Sequence, residues 1–149
     1  VTAWCLRKEP KLLGVLSPAA FLCEIGKVLI AQQIISDGSE QKLKVMIKET
    51  NDIELSEKAI TGVDTPEVSA YVFEHWKFEQ GLIDTIRYAQ EPQNAPEKDQ
   101  KSAKILHVVR TAVPINGVMT EASIALAKEL VSKYELDMES FEKALESNL

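Results

Sequence analysis

The chain has 149 residues, 45% of them hydrophobic and 27% charged, with a net charge of −6. That length and balance describe one ordinary globular domain, able to bury roughly 70% of its unfolded surface. So acidic a chain lacks the basic surface that nucleic acid or an anionic membrane demands, and neither is an expected partner. No basic flank, apolar core and small-residue cleavage site occur in secretory order. The two cysteines, Cys5 and Cys23, make no disulfide framework and read as small buried residues of a cytoplasmic protein.

Residues 1–8 read as the end of a helix, and the chain opens on Val1 rather than methionine, so native structure is expected upstream. Ser17-Pro18 pairs a capping hydroxyl with proline at a first helical position, which predicts a helix over 17–35, stopped by Ser36-Asp37-Gly38-Ser39. Phe21, Leu22, Cys23, Ile25, Val28, Leu29, Ile30, Ile34 and Ile35 cover most of its circumference. Only a stripe at Glu24, Lys27 and Ala31 is left, so this helix is expected to be central. Pro18, Glu24 and Lys27 argue against the same stretch being a membrane span.

Short helices follow over 40–49 and 53–61, the second ending at Gly62, a natural C-terminal cap. Thr65-Pro66 opens another that runs through Trp76, with Val68, Val72 and Phe73 inward. Residues 79–89 set Leu82, Ile83 and Ile86 on one face. Residues 90–100 are polar and hold Pro92 and Pro96, which predicts a loop, either a mobile contact segment or a plain surface connector. Over 101–113, Ile105, Leu106, Val108, Val109, Ala112 and Val113 fall on a single arc, until Pro114-Ile115-Asn116-Gly117 breaks the helix. Helices over 120–133 and 137–146 finish the chain, and there is no internal repeat. The pattern predicts an all-α domain of about seven or eight helices. Its expected core is Phe21, Ile25, Val28, Leu29, Val72, Trp76, Ile83, Ile86, Leu106 and Val109.

Three stretches carry a family resemblance. FLCEIGKVL, from Phe21, resembles the LLHDIGK helix of HD-type phosphohydrolases. GVDTPEVSAYVFEHW, from Gly62, followed by LIDTIRYAQEP, from Leu82, looks like the HDOD domain, an all-helical bacterial relative of those enzymes. The resemblance runs from about Ala19 to Ala112 and implies a part in signalling or regulation. Ser69 stands where that pattern has glycine, and Lys77-Phe78-Glu79 where it has Gly-Leu-Pro.

The resemblance also implies where metal ligands would sit. Cys23 and Glu24 replace an adjacent His and Asp; Thr65 replaces a helix-opening His. Ala89 and Gln90 replace a His pair, and Arg110 replaces an Asp. A binuclear site needs imidazoles and carboxylates to hold two cations and activate water between them. Alanine cannot ligate, threonine and glutamine ligate poorly, and arginine puts a positive charge where a cation should be. The expectation is therefore a scaffold without catalysis, metal or cofactor, acting through signalling proteins. An HD-type phosphohydrolase using Glu24 and upstream ligands is the alternative, and the inherited cavity retains room for a small-molecule ligand.

The only histidines are His75 and His107, and both read as structural: His107 on the solvent side of its helix, His75 near a helix end beside a core Trp76. No glycine-rich phosphate loop and no zinc spacing is present. The resemblance implies that positions 24 and 110 face one another. Glu24 and Arg110 are accordingly expected to form an ion pair in place of the metal centre. A local Glu24–Lys27 pair, with Arg110 in solvent, is the competing arrangement.

Overall fold

The computed structural model describes residues 1–115 and 117–147. Its described residues form ten α-helices and no strand. In chain order these are α1 (Thr2–Lys8), α2 (Leu13–Leu22), α3 (Gly26–Ser36), α4 (Glu40–Thr50), α5 (Ile53–Thr61), α6 (Thr65–His75), α7 (Gln80–Arg87), α8 (Glu97–Ala112), α9 (Glu121–Lys133) and α10 (Met138–Glu146). Short 3-10 turns lie at Pro10–Leu12 and Pro92–Asn94.

Where polar residues cap a helix, its start falls where the sequence places it. Asp52 Oδ1 accepts from the Leu55 N–H at 3.0 Å, and Asp64 Oδ1 from the Glu67 N–H at 3.0 Å. Asp137 Oδ2 accepts from the Ser140 N–H at 2.8 Å, and Thr120 and Ser123 form a reciprocal capping box. Each cap satisfies a backbone donor that the helix cannot.

One apolar cluster organises the bundle: Leu16 and Ala19 of α2, Phe73 of α6, Ile83 and Ile86 of α7, and Ile105, Leu106 and Val108 of α8. Val131 of α9 joins it, and Trp4 stacks on Phe141 at 5.2 Å between ring centroids, clasping α1 to α10. Of the expected core, Ile83, Ile86 and Leu106 are buried, and Ile25, Val72 and Val109 half-buried.

Four of the expected core residues are instead exposed: Phe21 (86%), Val28, Leu29 and Trp76. Val28 and Leu29 share one cause, because the apolar stretch is not a single central helix, while Phe21 lies on α2 away from its buried Leu16 and Ala19. Pro18 lies inside α2 rather than at a helix start, and after Leu22 the chain tightens into i→i−3 bonds from Ile25, Lys27 and Val28 that run through the turn into the first turn of α3. The break re-aims α3, so that Gly26, Ile30 and Ile34 face inward while Val28, Leu29 and Ile35 face out. Trp76 packs edge-on against Phe73 from outside, because α6 ends at His75 and Lys77 (φ 58°) turns the chain.

The predicted loop over 90–100 is also shorter than expected. Pro92 and Ala95 are buried, a 3-10 turn spans Pro92–Asn94 and α8 already begins at Glu97, so the connector is short and anchored at two points. Asn116, part of the predicted helix breaker, lies outside the described residues.

The stretch Pro10–Ser36 passes a membrane-span test on length and composition, with a mean hydropathy of 1.7 in its most apolar window. Here it is two helices tied into the bundle by the ion pairs Glu24–Arg110 and Lys27–Glu57.

The α2–α3 break is spliced by one hydroxyl. Ser69 Oγ of α6 donates to the Cys23 carbonyl at 2.7 Å and accepts from the Gly26 N–H at 2.9 Å. Both groups would otherwise be buried without a partner. The approach is so close that a Cβ on Gly26 would lie 2.7 Å from the Thr65 carbonyl oxygen and 2.8 Å from the Ser69 N. Ser69→Ala should therefore lower the unfolding free energy by about 1–3 kcal/mol. Gly26→Ala should cost about as much or more through forced separation of α3 from α6. Urea titration reads both; a Gly26→Ala variant as stable as the parent would show that this contact is slack.

Candidate functional site

The break between α2 and α3 leaves Glu24 in a turn, aimed at the last turn of α8. Arg110 Nε donates to Glu24 Oε1 at 2.8 Å, and Arg110 Nη2 donates to Glu54 Oε1 of α5 at 2.6 Å. Gln90 Nε2 donates to the other Glu54 oxygen. One guanidinium thus joins three parts of the chain: the α2–α3 turn, α5 and α8. Beside it, Lys27 Nζ pairs with Glu57 Oε2 at 2.9 Å, with side-chain exposures of only 12% and 10%. Lys27 therefore does not take Glu24 as a local partner.

Electrostatics follow from this packing. Burial is the largest influence on the Arg110 guanidinium and acts to lower its pKa; Glu54 and then Glu24 outweigh it, and the pKa ends above the ordinary arginine value. Burial pushes the Cys23 thiol up to about 11, with Arg110 opposing and Glu24 reinforcing the shift. Cys23 is thus a neutral thiol at pH 7 and a poor nucleophile. Its Sγ donates weakly to the Ala20 carbonyl at 3.7 Å and sits 3.9 Å from Glu24 Oε1. Glu24 Oε2 is buried without a hydrogen-bond partner.

The charged cluster floors an open cleft of about 2080 Å³, whose rim carries Phe21, Ile53, Leu55, Val113 and Ile115. Cys23, Glu24, Gln90 and Arg110 line it, whereas Thr65 and Ala89 do not. Thr65 is buried at the start of α6 with its hydroxyl unpartnered, and Ala89 is part of the apolar cluster. Of six candidate positions, the fold brings four, Arg110 among them, to the cleft and leaves two in the packing.

Glu54, Glu57 and Tyr134 are additions that sequence reasoning missed. Glu54 lies in the first turn of a short helix, where an acid usually just complements the dipole. The only available signal was the i, i+3 spacing of Glu54 and Glu57 on one face of α5. His107, expected in solvent, is half-buried, with Nδ1 at 2.9 Å from the hydroxyl of Tyr134, the residue that follows α9. His75 is exposed.

The HDOD domain family model matches residues 8–92, more than half of the chain. The chain belongs to the HDOD family. Arg110 lies beyond the matched span, and the fold alone brings it to Glu24. The HDOD chain also superposes on a crystal structure of a virulence factor from Campylobacter jejuni subsp. jejuni, with a TM-score of 0.76 at 22% identity. That alignment covers 97% of this chain and 57% of the other, so the chain spans little more than half the length of that relative. At this identity the likeness concerns the fold. No curated protein matches.

The donor set of this HDOD chain does not fit a binuclear metal centre. Glu24 and Glu54 each already accept from the guanidinium, which places a fixed positive charge between them, and Gln90, Ala89 and Thr65 offer only amide, methyl and hydroxyl. Among the described residues no group of three His, Cys, Asp or Glu side chains converges as a metal site.

Two measurements probe this arrangement. Arg110→Ala leaves two carboxylates facing each other, and should lower the unfolding free energy by roughly 2 kcal/mol, between the values for exposed and fully buried pairs. Replacing the trio together, as Arg110→Met with Glu24→Gln and Glu54→Gln, should recover most of that loss, since no charge is left unpaired. The second concerns pH. Burial, then Arg110 and Lys133, hold His107 below the ordinary value of 6.5. The unfolded chain therefore binds this proton first, and stability should fall as pH drops below about 6.5 towards the lowered folded value. Denaturation midpoints across that range should be flatter in His107→Gln; an unchanged slope would remove His107 as the source.

Proposed function

We propose that this HDOD chain is a non-catalytic regulatory module of a bacterial signalling system, acting by protein–protein contact on a scaffold shared with HD hydrolases. The observation that carries this reading is the Arg110 guanidinium held between Glu24 and Glu54. A cation-dependent hydrolase needs that space for metal and for the water the metal activates. A covalently attached cation supplies the charge balance but offers no open coordination position and lowers no water pKa. What it does supply is rigidity: three segments are fixed to one planar group, which suits a module whose surface must be presented in one shape. The family resemblance to signalling and regulatory proteins points the same way, and its site positions carry residues chemically unsuited to hydrolysis.

The reading is tested on protein purified without chelator. Elemental analysis should find transition metal well below one ion per chain. Incubation with manganese and cyclic dinucleotides should release no product. Stoichiometric metal together with turnover that tracks it would replace this proposal by a hydrolase with atypical ligands. Arg110→Asp, which restores the acidic residue of the related pattern, should not by itself create turnover, because the histidine positions remain Cys23, Thr65, Ala89 and Gln90.

A further inference from the structure

The α4–α5 hairpin is attached to the rest of the protein in an unusual way. None of its residues, 40–61, belongs to the central apolar cluster or packs against it. α4 has no buried residue and packs chiefly on α5, while the buried residues of α5 are Ser56 and Glu57. Ser56 is turned towards its own hairpin, with its hydroxyl on the Asp52 carbonyl at 2.7 Å and beside Thr50 Oγ1 at 3.0 Å. The polar bonds from α5 to the body of the fold run largely through two carboxylates. Glu54 reaches Arg110 and Gln90, and Glu57 reaches Lys27. Lys58–Asp64, at the surface, links only to the start of the next helix.

Both ends of this hairpin are pivots. Gly38 (φ 63°) precedes α4 and Gly62 (φ 81°) follows α5. Nothing lies within 4 Å of where a side chain would begin at either glycine. Residues of this kind absorb backbone rotation without steric cost. Between them the hairpin forms one wall of the cleft, through Asn51, Ile53, Glu54 and Leu55, opposite Phe21 and Ile115.

We propose that residues 39–61 are a hinged flap, latched shut by Glu54 and Glu57 on Arg110 and Lys27, which swings about Gly38 and Gly62 to widen the cleft. The flap opens as a unit while the apolar cluster of α2, α7, α8 and α9 stays packed. Opening it breaks charge-assisted bonds that water and salt replace in part. A module of this kind has two surfaces to offer a partner, one with the cleft closed and one with Arg110 uncovered.

Native-state hydrogen exchange on the intact 149-residue chain tests this without a variant. The amides of α4 and α5 should exchange together, with protection at least about tenfold lower than the slowest amides of α8. Raising the salt from 0.05 to about 1 M should lower their protection further while leaving α8 unchanged. A second arm uses Glu57→Gln, which takes the carboxylate from Lys27 and so weakens one latch. Exchange in this variant should rise several-fold over 39–61 alone. Protection of the hairpin equal to that of α8, or a rise spread evenly over the whole chain, would overturn the flap and make the hairpin an ordinary part of one cooperative unit.

Discussion

The arrangement depends on one planar cation. Arg110 sits near the C-terminal end of α8, where partial negative charge from the helix already favours it. Two carboxylates from separate parts of the chain converge on its fork, at 2.8 and 2.6 Å. A lysine at this place would offer a single point charge and would not define the angle between the α2–α3 turn and α5. The guanidinium therefore does two jobs at once. It neutralises acids that would otherwise face each other, and it sets the relative placement of the three segments.

The rest of the inner architecture divides cleanly around it. On one side lies an apolar bundle in which α2, α7 and α8 interlock through Leu16, Ile86, Leu106 and Val108. On the other, α3 and α5 meet through charge, with Lys27 and Glu57 nearly withdrawn from solvent. Such a pair contributes little net stability relative to an apolar pair, but it is strongly directional: only one register of α5 against α3 brings both charges together. Specific placement, rather than strength, is what the polar half of the molecule supplies.

Much of this was legible in the sequence, and the reasons are local. The helices expected from 53, 65, 120 and 137 begin within a residue of those positions, held by Asp52, Asp64, Thr120 and Asp137, because a cap is a short-range chemical requirement; the cap before Pro66 is Asp64 rather than Thr65. Strong periodicity served equally well for α7. The family likeness was legible from three short stretches, and position 24 was paired with position 110 by that likeness, not by periodicity. The stretch 17–35 misled for the opposite reason. Apolar residues cover its circumference, so periodicity could not say which face is buried. What decides the matter is the Ser69 hydroxyl, 43 residues along the chain from Gly26 and invisible to any window. Glu54 was hidden likewise, since its partner Arg110 is 56 residues away.

The polar inward face of α5 has a consequence for how motion in this molecule can be observed. Heat capacity and denaturant sensitivity both scale with the surface that an opening exposes, and apolar surface dominates the former. Parting Glu54 and Glu57 from their partners uncovers charge, and no residue of the hairpin belongs to the central apolar cluster. A calorimeter would register almost no excess heat capacity for that step, and its dependence on urea would be shallow. The thermal unfolding curve of the domain would then report the apolar bundle alone, and the polar half of the molecule would rearrange beneath an apparently single transition.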